Sequence, residues 1–246
     1  MTAYKIFSGN EIEDLESLSN ELKKYKKTHM LTNWLEQREF IEKNKVNYID
    51  GRINLVHSFP KETKNTQIKP NEDGEEGEEV VVTQVGFIHT QISIFNDGDR
   101  CIFLVEVKNP YAPITNMLNS TLNSNSGREY DLQKTKISRE NMKKIRNRTY
   151  DVHTSDYEGS GGRINKTTLF GALAHTKPDG TQDLCEECAT QDDLLLSISG
   201  KTIDGLNVSV NPGPPLVKVS CPRTDHLNTM SYIEREIIKF VERVHN

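Results

Sequence analysis

The chain has 246 residues and a mass of 28.0 kDa, enough for one large domain with a buried core. Its 31 Lys and Arg against 36 Asp and Glu leave a net charge of -5, so no basic excess supports contacts with many phosphates, and nucleic acid is not the expected partner. A hydrophobic content of 34% with a mean hydropathy of -0.65 argues against global disorder, and no run approaches the ~18 apolar residues of a membrane span.

The opening residues lack the basic and apolar stretches of a secretory signal, which points to a cytoplasmic protein with no membrane partner. The four cysteines, Cys101, Cys185, Cys188 and Cys221, suit a reducing compartment in which disulfides are not required.

From Asn10 to Lys27, Ile12, Leu15, Leu18 and Leu22 recur at helical spacing behind a cap region at Ser8, Gly9 and Asn10. Acidic residues crowd the first turns and Lys23, Lys24, Lys26 and Lys27 the last, an order that complements the helix dipole. A second helix is expected over Leu31 to Lys43, with Trp34, Leu35, Phe40 and Ile41 as its apolar residues. Asn47 to Phe59 reads as a strand, and Lys61 to Glu79 as a polar loop whose acidic core, NEDGEEGEE, cannot offset its own ordering entropy.

Two strands follow, Val80 to Phe95 and Cys101 to Val107, joined by the tight-turn sequence Asn96-Asp97-Gly98-Asp99 and expected to pair antiparallel. Thr115 to Gly127 reads as an irregular surface segment, Ser138 to Arg148 as a short basic helix, and Gly159 to Gly162 as a glycine-rich loop. Further strands are expected at Thr167 to Ala174, Leu194 to Ser199, Leu206 to Val210 and Leu216 to Ser220. In Met230 to Val244 an apolar stripe of Ile233, Ile237, Phe240, Val241 and Val244 predicts a closing helix packed on a sheet. The whole reads as α+β: an antiparallel β-sandwich core with N-terminal and C-terminal helices, a helical arm over 1–45, a strand-rich body over 46–227 and a helix over 228–246.

Three local patterns carry candidate chemistry. Cys185 and Cys188 form a CxxC that, with Cys221 and His226, can be drawn as a Cys3His zinc site, although Glu186 and Glu187 between them oppose thiolate formation. Gly159 to Gly162 followed by Lys166 and Thr167 invites comparison with a phosphate-binding loop but lacks its register, leaving a loosely held nucleotide as the only cofactor it suggests. Glu106-Val107-Lys108-Asn109-Pro110, at the end of an apolar strand, resembles the PD-(D/E)xK nucleases. That resemblance implies Mg held by Glu106 and an aspartate, with Lys108 helping the attacking water. Gln91 stands where those relatives carry the metal-binding aspartate, so Asp97 and Asp99 are the remaining ligand candidates.

A second resemblance covers more of the chain. The stretches Gln91 to Phe103, Glu129-Tyr130-Asp131-Leu132-Gln133, and Leu194 to Gly200 with the terminal helix after it resemble the cypovirus polyhedrins. The resemblance implies a structural protein without catalysis or cofactor, forming homotrimers that crystallise around virus particles as occlusion bodies in the host cytoplasm. It also implies that the N-terminal helix reaches into neighbouring copies. Alkaline dissolution would follow from loss of lysine charge and ionisation of Tyr4, Tyr25, Tyr48, Tyr111, Tyr130, Tyr150, Tyr157 and Tyr232.

Overall fold

The structure, a computed structural model, describes residues 2–34, 36–69, 78–107, 114, 117–118, 132–161, 164–177, 179, 181–213, 215–220 and 226–244. Internal contacts divide the chain into two compact units. The first comprises Met1–Gly9, Ile102–Val107 and Leu132–Asn246; the second comprises Asn10–Cys101 and Lys108–Asp131.

The second unit is a meander laid against one helix. Asp14 caps α1 (Leu15–Lys24) by accepting a hydrogen bond from the Ser17 backbone N–H at 2.8 Å. The entry to the helix is fixed by Asn96, whose side-chain amide accepts from Ile12 N–H at 3.2 Å and donates to Ile12 O at 2.9 Å. Four strands follow in antiparallel order: β2 (Lys26–Asn33), β3 (Glu36–Ile49), β4 (Arg52–Lys69) and β5 (Glu78–Asp97). Leu15, Leu18 and Leu22 of α1 are buried in the same unit as Ile53, Leu55, Ile92 and Ile94, and α1 packs on β3 and β4. The apolar stripe of α1 is therefore occupied within its own unit, where the polyhedrin resemblance implied that it reaches a neighbouring copy.

The expected helix over Leu31 to Lys43 is replaced by the β2–β3 hairpin, paired from Lys26↔Lys43 to Asn33↔Glu36. Phe40 and Ile41 then point to opposite faces of β3, and Trp34 lies in the turn with a φ of 62°, bridged to Thr83. The strand expected over Asn47 to Phe59 is two strands, because Asp50 and Gly51 both take positive φ, 50° and 72°, and form a tight hairpin turn. The loop expected over Lys61 to Glu79 is narrower: β4 continues to Lys69 and β5 begins at Glu78, while 70–77 lie outside the described residues. The turn expected at Asn96 to Asp99 is present, closed by an Arg100–Asp97 ion pair at 2.8 Å.

In the first unit, β1 (Thr2–Asn10) occupies residues expected to lead into the helical arm. It pairs with β13 (Pro215–Ser220) through its first half and with β7 (Gln133–Ile137) through Phe7 and Ser8. Its neighbour on the other side is β6 (Arg100–Glu106). The strand order of this unit is β10–β9–β8–β11–β12–β13–β1–β6, with β8 (Asp151–Gly161), β9 (Ile164–Thr176), β10 (Gln182–Leu184), β11 (Leu195–Lys201) and β12 (Asn207–Pro212). The helix expected from Ser138 is α2 (Arg139–Arg148), with Ser138 as its cap, and it packs on β11. A short α3 (Glu186–Thr190) follows β10.

The expected C-terminal helix is α-helical only over α4 (His226–Tyr232). It continues as a π turn (Ile233–Ile237) and a 3-10 turn (Ile238–Phe240), then turns extended as β14 (Val241–Arg243) on β7. The stripe expected of one helix thus divides, with Ile233, Ile237 and Phe240 buried from the helical turns and Val241 from the strand. The pairings of β2–β3, β3–β4 and β4–β5 in the second unit, and of β1 with β13 and β7, β7 with β14, β8 with β9 and β11, β9 with β10, and β12 with β11 and β13 in the first, are antiparallel; among the described residues no helix is long and apolar enough to cross a membrane.

Among the described glycines of the first unit, Gly200 makes the closest approach to neighbouring backbone. A Cβ there would stand 2.3 Å from Asp151 O and 2.6 Å from Thr149 Cγ2, and the first of these is backbone that cannot step aside. Gly200→Ala is expected to lower stability by about 3 kcal/mol, the upper end of ordinary overpacking, read as a shift in the urea midpoint. An unchanged midpoint would contradict the β8–β11 approach.

Candidate functional site

The residues nominated from sequence fall in separate places. Asp97 and Asp99 lie at the turn that opens β6, and Glu106 closes that strand. At about 3.3 Å per residue the strand spans roughly 20 Å, so the turn and Glu106 sit at its opposite ends. Asp97 is held by Arg100, Glu106 is 3% exposed beside Tyr4, and Lys108 lies outside the described residues.

Cys185 and Cys188 stand together at the start of α3, but Cys221 and the side chain of His226 lie outside the described residues. Gly159 to Gly161 continue β8, Gly162 is not described, and Lys166 pairs with Asp156 at 2.8 Å. Burial alone would raise the Asp156 carboxyl, but hydrogen bonds from Lys166, Ser197 and Thr168 outweigh it and hold the group below its ordinary range. These partners follow from register, since Ser197, Asp156 and Thr168 are directly opposite across β11, β8 and β9. Among the described residues, no group of three His, Cys, Asp or Glu side chains is arranged to hold a metal ion.

Sequence reading missed the most concentrated polar cluster, which lies in the second unit around Glu42. The β3–β4 ladder ends at Lys43↔Ser58; beyond it β3 pairs with β2 and β4 with β5. Glu42 stands where the two hairpins part, with its side chain 2% exposed. It accepts a hydrogen bond from Tyr25 OH at 2.7 Å and one from His29 Nε2 at 2.6 Å. His57, opposite both Asn44 and Thr90, has no exposed surface and brings Nε2 to 3.4 Å from Glu42.

The tautomer of His57 can be read from its neighbours. Asn44 donates its Nδ2 to Leu22 O at 3.1 Å, which turns its Oδ1 toward His57 Nδ1 at 2.9 Å. Nδ1 therefore carries the proton, and a neutral ring presents its bare Nε2 to the carboxylate. Burial lowers the His57 pKa from 6.5, partly opposed by Glu42, whereas burial and then the Glu42 bond push the Tyr25 hydroxyl well above its ordinary value of 10.0. Phe59 closes over the cluster edge-on to His29 at 5.4 Å.

A second surface in this unit is apolar and exposed. Strict alternation along β4 and β5 puts Ile68, Val81 and Phe87 on the face opposite His57, at 70%, 57% and 44% exposure. Met30 and Ile41 lie diagonally across β2 and β3 on the face opposite Glu42, and Trp34 is exposed at the hairpin turn. No protein-family model matches the chain, and no curated protein matches it.

Two outcomes test the cluster. Glu42→Ala leaves Tyr25 and His29 without their buried acceptor, so a loss of about 3 kcal/mol is expected in chemical denaturation. For His57, a folded pKa below 6.5 means that the contribution of the neutral ring is complete above pH 6.5 and is lost as the pH falls through the folded value. The wild type should therefore lose stability on acidification from pH 6.5 down to the folded value, and His57→Asn, which keeps a donor near Nδ1 but cannot titrate, should show a shallower slope. Parallel slopes would count against the assignment.

Proposed function

We propose that the protein is a self-associating structural protein, non-catalytic, whose copies meet through the outer faces of the two hairpins of the second unit. The observation that carries this reading is the exposed apolar set Met30, Trp34, Ile41, Ile68, Val81 and Phe87 on one pair of long hairpins. Large apolar side chains left exposed on one pair of hairpins are surface that a covering protein would bury. Covering each half-exposed side chain contributes roughly 1 kcal/mol, so several together support a reversible contact that repetition makes stable.

In its specific form the reading is the matrix of a viral occlusion body: homotrimers of a sandwich-type body in a lattice around virus particles, in the host cytoplasm, with no membrane or nucleic acid as partner. The hairpins then take the tying role that the resemblance gave to the N-terminal helix. The alkaline trigger also changes character. Burial raises the pKa of Tyr4, Tyr25, Tyr157 and Tyr232 above 10.0, so these hydroxyls stay neutral in the folded chain as surface lysines lose their charge. A raised pKa of this kind lends stability that is complete below 10.0 and is lost as pH rises toward the folded values, so alkali loosens the fold itself as well as the contacts between copies.

Sedimentation velocity over a wide concentration range tests the reading, with the double variant Ile68→Lys/Val81→Lys alongside. The wild type should associate with increasing concentration, and the variant should stay monomeric with an unchanged circular dichroism spectrum. A wild type that sediments as a monomer throughout, or a variant that associates equally well, would overturn it.

A further inference from the structure

Cys185 and Cys188 are more than a sequence spacing. Cys185 is the cap of α3, its sulfur accepting a hydrogen bond from the Cys188 backbone N–H at 3.3 Å. Cys185 at the cap and Cys188 in the first turn stand three residues apart, the Cys-X-X-Cys spacing of dithiol redox pairs. The two differ in access: Cys185 is half-buried and reachable, whereas Cys188 is 1% exposed. Burial, with Cys185 beside it, pushes the Cys188 thiol up to about 11.

A second feature points into the same place. The Tyr157 hydroxyl, on a side chain with no exposed surface, lies beside the Cys188 sulfur and Ser155 without closing a hydrogen bond of ordinary geometry. The neighbouring cation is Arg146, 3% exposed and ion-paired to Asp192, while Glu186 and Glu187 point into solvent. The acidic pair that argued against thiolate chemistry in the sequence is thus exposed, and the Cys188 sulfur lies near a tyrosine hydroxyl and an arginine.

We propose that Cys185 and Cys188 form a reversible dithiol–disulfide site whose oxidants are low-molecular-weight disulfides. The accessible Cys185 thiolate attacks one sulfur of the disulfide R–S–S–R; the R–S bond partner leaves as a thiolate and takes a proton from water. The mixed disulfide on Cys185 is then attacked by Cys188, whose thiol proton passes to solvent, forming the Cys185–Cys188 bond and releasing the second R–S group as a thiol. Two protein thiols are oxidised and one small disulfide is reduced to two thiols. Cys101, fully buried and with its thiol pushed up to about 12 by its burial, takes no part.

The test incubates the full chain with oxidised glutathione and follows intact mass and disulfide mapping. The wild type should lose two hydrogens, with the bond mapped to Cys185–Cys188, and recover fully with excess reduced glutathione. Cys188→Ser should stop at a stable glutathione adduct on Cys185, and Cys185→Ser, checked for native circular dichroism, should carry no adduct on Cys188. A wild type that stays reduced, a bond mapped to Cys221, an adduct on Cys188 in place of Cys185, or thiols protected by zinc retained through chelation would each overturn it.

Discussion

The antiparallel ladder between β4 and β5 is the constraint on which the second unit rests. It runs in constant register from Arg52↔Phe95 to Lys69↔Glu78, so the face of every side chain along it is fixed by parity. One face carries Ile53, Leu55, Ile92 and Ile94 into the core beneath α1. The same ladder continues past the reach of the helix, and there its opposite face carries Ile68, Val81 and Phe87 into solvent. A slip of one residue would bury Val81 and expose Ile92, so core and outer stripe stand or fall together.

Glu42 shows what the parting of the two hairpins demands. Taking a carboxylate out of water costs several kcal/mol unless hydrogen bonds replace the lost water. Tyr25 and His29 supply that replacement from the end of α1 and from β2, and the His57 ring of β4 packs 3.4 Å away, so three elements converge on one side chain. The junction is therefore specific as well as stable: only one placement of the β2–β3 hairpin brings both His29 and Tyr25 to the carboxylate. In the first unit the analogous device is the Asp156 row, where a carboxylate is satisfied across three strands by direct register.

Legibility from sequence followed the range of the forces involved. The helix capped by Ser138, the strands β5 and β6 and the starts of the later strands rest on local signals: a cap, a Gly-containing turn and runs of β-branched residues. The β2–β3 hairpin was read as helix because Trp34, Leu35, Phe40 and Ile41 fit a helical period as well as a strand whose two faces are both used. The Asp50-Gly51 turn carried its own signal, since Asp-Gly between alternating apolar residues favours paired positive φ values. Glu42 carried none. Its partners are 13 to 17 residues away along the chain, and nothing in a glutamate among Lys and Glu residues marks it as buried. Cys185 and Cys188 were legible as a pair, but which thiol is reachable depends on the burial of Cys188, beside Tyr157, in an otherwise exposed α3.

The account turns on whether the outer hairpin faces are covered by other copies of the chain. Hydroxyl-radical footprinting of dilute and concentrated protein reads this directly, because Met30, Trp34 and Phe87 are reactive side chains that the fold leaves exposed. The account predicts that these three become protected as concentration rises while Phe170, 76% exposed in the first unit, keeps its reactivity. Equal reactivity of Met30, Trp34 and Phe87 at both concentrations would contradict it.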